Sequence, residues 1–200
     1  MEKQILDCFL FNHKLRFSEI EKAVGVRSNK LAYRLKELVK HGVLIKEKEV
    51  YMLSEASEYL IPYLSEKKSI LPVILVHIGN KKRAFLYKRE KRPFKGYFSL
   101  PGGRIIIGEA IPSAAKRIMK DKFGIDIKFK KINSISLEQV RKNNNIIHSF
   151  LLVLVSASAK SRINLIDVEE NKKQIIGSDY LLIKRDLDSK TEIKQIFSKD

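Results

Sequence analysis

The sequence predicts an α+β fold in two domains, on three observations. Residues 1–66 alternate short helical patterns with a glycine turn and end in a β-hairpin pattern. Residues 70–200 are dominated by β-branched apolar runs placed around one glycine-closed helical segment. Between them, Ser65-Glu66-Lys67-Lys68-Ser69 is polar throughout, as a boundary is. The 200 residues are 44% hydrophobic, enough for two cores. A net charge of +17 and a pI near 9.9 favour partners that carry phosphates or anionic surfaces. One cysteine, Cys8, excludes an internal disulfide and fits a reducing compartment; its apolar neighbours make it a core thiol. Lys3 and Asp7 break the N-terminal apolar run, so no signal peptide is expected. No run is long enough to span a bilayer. The expectation is a cytoplasmic protein with no membrane partner.

In the first domain, Glu2 to Phe11 carries Ile5, Leu6, Phe9 and Leu10 at helical spacing. Ser18-Glu19-Ile20-Glu21 has the spacing of a capping box and predicts a short helix ending in the Gly25 turn. Ser28 is the predicted cap of a longer helix reaching His41 and closed by Gly42. Its core side is Leu31, Leu35 and Leu38, joined by Ala32 and Val39. Val43–Ile45 and Val50–Leu53 predict a hairpin around Lys46–Glu49, and a last helix is expected from Ser54 to about Leu64.

This order of helix, short helix, glycine turn, longer helix and hairpin resembles a winged helix-turn-helix domain over about residues 2–64. The resemblance implies double-stranded DNA as a partner and the longer helix as its reading element. The residues make a case of their own, because a helix in the major groove reads bases with its entering end and holds phosphates with its flanks. Ser28, Asn29, Lys30, Tyr33 and Arg34 offer hydroxyl, amide and cationic donors there, with Lys36 and Lys40 further along. The bland alternative is the solvated face of an amphipathic helix. Two glutamates in the hairpin tip weaken any phosphate contact by it. Residues 1–69 hold 13 Lys or Arg against 10 Asp or Glu, a net +3, so +14 of the charge lies beyond them. Affinity from counterion release then draws on the second domain or on a homodimer. Tyr59, Leu60, Tyr63 and Leu64 form a candidate dimer seam, or simply cover the first domain's own core.

The second domain opens with a strand, Pro72–Ile78, and a hairpin partner, Ala84–Tyr87. A charged loop, Lys88–Lys95, leads to a strand, Gly96–Leu100, and a Gly102-Gly103 turn. A helix from about Pro112 to Phe123 closes at Gly124. Ile125–Phe129, Ile132–Val140 and Ile146–Ala157 are predicted strands, with Arg141–Asn145 as a turn. Asp179–Ile183 is expected as a short strand and the last residues as a helix.

Within this domain, Gly103-x5-Glu109-x7-Arg117, ending at Gly124-Ile125, is similar to the Nudix box G-x5-E-x7-R-E-U-x-E-E-x-G-U. The preceding Leu100-Pro101-Gly102 and the Ala114-Ala115 pair add to the likeness. The resemblance covers about residues 70–187 and implies an α/β/α Nudix-like sandwich. It also implies a helix whose three glutamates hold the divalent cation that activates water against a pyrophosphate. Here those three positions read Ile118, Asp121 and Lys122. Ile118 has no lone pair to give, and Lys122 brings a cation to the cation's own place. Glu109 and Asp121 remain as metal ligands only if an atypical hydrolase site using Mg2+ or Mn2+ persists. Otherwise no cofactor is expected.

The expected role of this domain is therefore to sense a nucleotide-like or phosphorylated small molecule, with Arg104, Arg117, Lys120 and Lys122 as candidate phosphate ligands. Arg117, deprived of the glutamate it braces in the family, would be free for this; Lys122 could instead pair with Asp121 or Glu109. The whole chain resembles Nudix-related transcriptional regulators in its parts. Two alternatives stand beside that regulator: an active hydrolase of nucleoside diphosphate derivatives, and a nonspecific nucleic-acid-binding adaptor. His13, His41, His77 and His148 lack metal-ligand spacing, and His77, inside an apolar strand, reads as a satisfied core residue.

Overall fold

A computed structural model describes residues 1–10, 12–57 and 69–198. The chain divides into two units, Met1–Ser69 and Ile70–Asp200. In the first, α1 (Glu2–Asp7) runs on as a 3-10 turn at Cys8–Leu10. After β1 (Leu15–Arg16) come α2 (Phe17–Val24) and α3 (Ser28–Lys40), then β2 (Leu44–Glu47) and β3 (Val50–Leu53). The strands form one antiparallel sheet in the order β1-β3-β2. Ile5, Phe9, Ile20, Leu31, Leu35, Leu38, Leu44 and Leu53 make its core, with Cys8 packed at the margin. Burial pushes the Cys8 thiol up from its ordinary pKa, as expected of a structural thiol.

Two of the expected helix starts shift. The backbone amide of Arg16, not Ser18, begins α2: it donates to Glu19 Oε2 at 2.6 Å, so the box sits two residues earlier, with Glu19 and not Glu21 as its acid. Ser28 is the first residue of α3 rather than its cap, because its hydroxyl donates to Glu21 Oε1. Gly25 and Gly42 end the two helices with φ of 65° and 69°, where a side chain would be strained. Ala32, expected on the core side of α3, is exposed. The helix expected from Ser54 to Leu64, with the candidate dimer seam, lies mostly outside the described residues.

The second unit is built on a four-stranded mixed sheet whose order is β8 (Gly102–Arg104), β4 (Leu71–Ile78), β10 (Asn145–Ala159) and β9 (Ile127–Lys142). Its centre is β4 (Leu71–Ile78) paired parallel to β10 (Asn145–Ala159); such pairs are covered on both faces, which is why both read as continuous apolar runs. β9 (Ile127–Lys142) is one 16-residue strand where two were expected, joined to β10 through Asn143 and Asn144, both at positive φ. Ile135, Leu137, Ile146 and Ile147 stay exposed on this hairpin.

Gly102-Gly103 is not a turn: it forms edge strand β8 (Gly102–Arg104), antiparallel to β4. The expected strand Ala84–Tyr87 is split into β5 (Arg83–Ala84) and β6 (Tyr87–Lys88). These pair with β11 (Ile166–Asp167) and β7 (Phe98–Ser99) respectively, because each short piece serves a different neighbour.

Helix α4 (Ile111–Phe123) matches the expected span and ends at Gly124 with φ 66°. It packs Ala114, Ala115, Ile118 and Met119 on Ile74, Val76, Ile78, Val153 and Val155. The other sheet face, through Leu75, Leu152 and Leu154, is covered by Leu182 and Ile183. These belong to α5 (Gly177–Arg185), a helix where a strand was expected. Asp179, Leu182 and Ile183 are its buried residues, the three-and-four spacing of a helix face. No helix follows it among the described residues. Helix, sheet and helix thus stack as an α/β/α sandwich, and no described helix is long and apolar enough to cross a membrane.

Candidate functional site

The box is assembled by close approach. A Cβ on Gly102 would lie 2.8 Å from Leu75 Cδ2, and one on Gly103 would lie 2.9 Å from Ile118 Cγ1. Two glycines let the edge strand lie flat against both β4 and α4. From Arg104 the chain loops through Gly108, at φ 82°, and presents Glu109. Both Glu109 oxygens are taken by Arg117, Nε to Oε1 at 2.5 Å and one terminal nitrogen to Oε2 at 2.9 Å. The same terminal nitrogen donates to the Arg104 carbonyl at 3.0 Å, and the Ile106 amide donates to Glu109 Oε2 at 3.1 Å. The hydrogen bond from Arg117 holds the Glu109 carboxyl below the usual glutamate range. Arg117 thus braces Glu109 through Nε and one terminal nitrogen, where the sequence reading left it free.

Ile118 is sealed in the core at 1% exposure beneath Gly103, so its position faces the apolar interior. Lys122 pairs with neither Asp121 nor Glu109. Its ammonium donates to the Gly102 carbonyl at 2.5 Å. Burial first, then the charges of Arg89, Arg117 and Lys91, push it below the usual lysine range. The charged loop 88–95 therefore brings Arg89 and Lys91 into the field of the box helix, which the sequence did not reveal. Lys120 points elsewhere, paired with Asp126 at 2.8 Å. Arg104 and Asp121 are exposed.

This donor set does not fit a divalent cation. Glu109 is spent on Arg117, Asp121 stands alone, Ile118 is buried, and an ammonium occupies the neighbouring carbonyl. Among the described residues no group of three or more His, Cys, Asp or Glu could hold a metal.

One buried acid close to the box in space escaped the sequence reading. Asp179 Oδ2 accepts from Ser99 Oγ at 2.9 Å and from the Leu100 amide at 2.8 Å, just before Pro101-Gly102. Burial pushes this carboxyl up to about 6. Its signal was the helical spacing of Asp179, Leu182 and Ile183, masked by the run Tyr180-Leu181-Leu182-Ile183.

On α3, Ser28, Asn29, Lys30, Tyr33, Lys36 and Lys40 are all exposed, Tyr33 at 59%. Arg34 is half-buried, ion-paired with Glu2 at 3.1 Å and set 5.6 Å from the Tyr33 ring centroid. The hydroxyl of Ser28 is engaged by Glu21 and the guanidinium of Arg34 by Glu2, which leaves Asn29, Lys30, Tyr33, Lys36 and Lys40 as the exposed candidates without a carboxylate partner among the described residues.

A sheet sandwiched by two helices, with a glycine-flanked loop and helix on its edge strand, defines a Nudix fold. The NUDIX domain family matches residues 69–175, and the chain belongs to that family. It is 31% identical over 77 residues to the ADP-ribose pyrophosphatase of Methanocaldococcus jannaschii, across 38% of this chain. The chain spans about half the length, 46%, of that relative. Among solved structures it is similar to a NUDIX hydrolase from Nitrosomonas europaea, at 16% identity and a TM-score of 0.50, covering 64% of this chain and 98% of that one. It is also similar to a MutT NUDIX hydrolase from Burkholderia pseudomallei, at 14% identity and a TM-score of 0.50, covering 59% and 98%. At these identities the structures speak for the fold alone.

Proposed function

We propose that this chain is a DNA-binding transcriptional regulator whose Nudix domain holds a nucleotide-derived diphosphate without cleaving it. The observation that carries the reading is the replacement of a metal-binding helix face by a buried isoleucine and an ammonium seated on the Gly102 carbonyl. Fixed cations at Lys122, Arg89 and Lys91 answer the charge of a pyrophosphate without a metal ion. ADP-ribose is the natural first probe, from the name of the relative. Titrated into the full chain, it should bind and raise the melting temperature, and it should survive overnight with Mg2+ or Mn2+. Lys122→Ala should weaken that binding.

The DNA half rests on the exposed polar face of α3, on the hairpin β2–β3 beside it in sequence, and on the +17 charge. Binding to duplex DNA that resists excess competitor, and that falls on Asn29→Ala and Tyr33→Ala, is the expected result. Equal affinity for every duplex would instead favour the nonspecific adaptor. A homodimer reading two half-sites is part of this proposal, tested by mass in solution with and without DNA.

The second reading is an active hydrolase of nucleoside diphosphate derivatives with an atypical Mg2+ or Mn2+ site at Glu109 and Asp121. Family membership and the name of the Methanocaldococcus jannaschii relative favour it over regulation, while the donor set of the helix speaks against it. Release of AMP from ADP-ribose, abolished by Glu109→Gln, would establish it.

A further inference from the structure

A cleft lies away from the box. The loop carrying Glu109 leaves the sheet beside Val73, near the start of β4, whereas this cleft, of about 610 Å³, opens at the far end of that strand. His77, Gly79, Asn80 and Ser156 form its floor, and Lys81, Lys82, Lys130 and Lys131 surround it, with Leu187 and Asp188 as one wall. Its size is that of an ordinary small-molecule site.

The four lysines divide into two pairs. Lys81 is bound to Asp188 at 2.6 Å, and Lys131 donates to the carbonyls of Asp188 at 3.1 Å and Ser189 at 2.8 Å. These two fasten the segment after α5 and neutralise its acid. Lys82 and Lys130 have no ion-pair partner among the described residues, so their charge is available to a ligand. Ser156 donates to Asn133 Oδ1 at 2.8 Å, which leaves its oxygen lone pairs for the cleft.

His77 is the informative group. The ring is 1% exposed, yet Nε2 finds no hydrogen-bond partner among the described residues. Buried polar nitrogens are normally satisfied, and leaving one unpaired opposes folding. Burial pulls the imidazole pKa down to about 4, so it is neutral near pH 7. Its hydrogen bond to the Asn80 backbone favours the protonated form, as a donated proton does; this places the ring proton on the other nitrogen and leaves a lone pair on Nε2. A ligand that completes the site therefore offers a hydrogen-bond donor to Nε2 and an anion to Lys82 and Lys130.

We propose that this cleft binds a small phosphomonoester bearing a free hydroxyl, its phosphate held by Lys82 and Lys130 and its hydroxyl donating to Nε2 of His77 once the buried ring turns toward the cleft. The site is separate from the box and does not depend on the function proposed for it. Ribose 5-phosphate is the probe, with inorganic phosphate and ribose as separate arms, titrated into the full chain and followed by calorimetry. Ribose 5-phosphate should bind at roughly millimolar or lower concentration, more tightly than either fragment. The double variant Lys82→Ala/Lys130→Ala should weaken it by about tenfold or more. Because substitutions at His77 endanger folding, its role is read in the native chain: the Nε2 nitrogen resonance should move on saturation. Absence of saturable binding, an unchanged affinity in the double variant, or a stationary Nε2 resonance would each overturn the proposal. So would inorganic phosphate binding as tightly as the sugar ester, or loss of binding in Lys122→Ala, which would place the ligand at the box.

Discussion

The two faces of the central sheet in the second unit are built on opposite principles. The face under α4 is aliphatic throughout, Ile74, Val76, Ile78, Val153 and Val155 against Ala114, Ala115, Ile118 and Met119. Its polar groups, Glu109, Arg117 and Lys122, sit at the rim, where they satisfy one another or a carbonyl. The face toward α5 buries its chemistry: His77, Ser99, Asn133, Ser156 and Asp179 all lie inside. The α4 face is thus a packing surface that retains the outline of a site, whereas the α5 face holds buried titratable groups that packing alone does not require. The motif that identifies the family lies on the first face, and the unspent hydrogen-bonding capacity lies on the second.

Breaking the packed face should give the largest effect. Ile118→Ala removes a side chain buried against the sheet and Gly103, and should cost about 3 kcal/mol in denaturant unfolding. A cost below about 1 kcal/mol would mean that Ile118 is not a core residue. On the other face, Asp179→Ala strands the Ser99 hydroxyl and the Leu100 amide, and should cost about 2 kcal/mol.

The contrast sharpens with pH. Asp179, raised to about 6 from 3.8, contributes stability that is fully present below pH 3.8 and lost as pH rises through 6. His77, lowered to about 4 from 6.5, contributes stability that is present above pH 6.5 and lost as pH falls through 4. The two oppose each other, so the native melting temperature should vary little from this source between pH 4 and 6.5. In Asp179→Asn the histidine acts unopposed, and the melting temperature should fall more steeply on acidification than in the native protein. A parallel profile for the two proteins would remove Asp179 as a titrating group.

The smallest effect is expected at the rim. Glu109→Gln weakens a part-buried bidentate pair at the rim and should cost about 1 kcal/mol, less at high salt. A loss as large as that of Ile118→Ala would make the rim, not the aliphatic face, the structural centre of the box.

How much was legible follows the same division. The span of α4, its stop at Gly124, the central strand β4 and the Gly103–Glu109–Arg117 spacing were readable because each is encoded within a turn or two of backbone. Helix starts at Phe17 and Ser28 were misplaced, by two residues and by one, because Ser18 and Ser28 look like caps, while Glu19 and Glu21 decided where the hydrogen bonds went. The strand expected at Asp179–Ile183 became α5, since four bulky apolar residues in a row suit either element until a partner surface selects three-and-four spacing.

The sequence by itself determined the family, the loss of two of three acids on the box helix, and the basic charge. Those depend on residue identity and short spacing, which no later packing alters. Only the tertiary structure decided that Arg117 is spent on Glu109, that Lys122 rests on Gly102, that Asp179 meets Leu100, and that His77 lies by two lysines with no ion-pair partner among the described residues. Such contacts join groups from 8 to 79 residues apart, and chain closure, not local propensity, chooses which of the many possible partners meet.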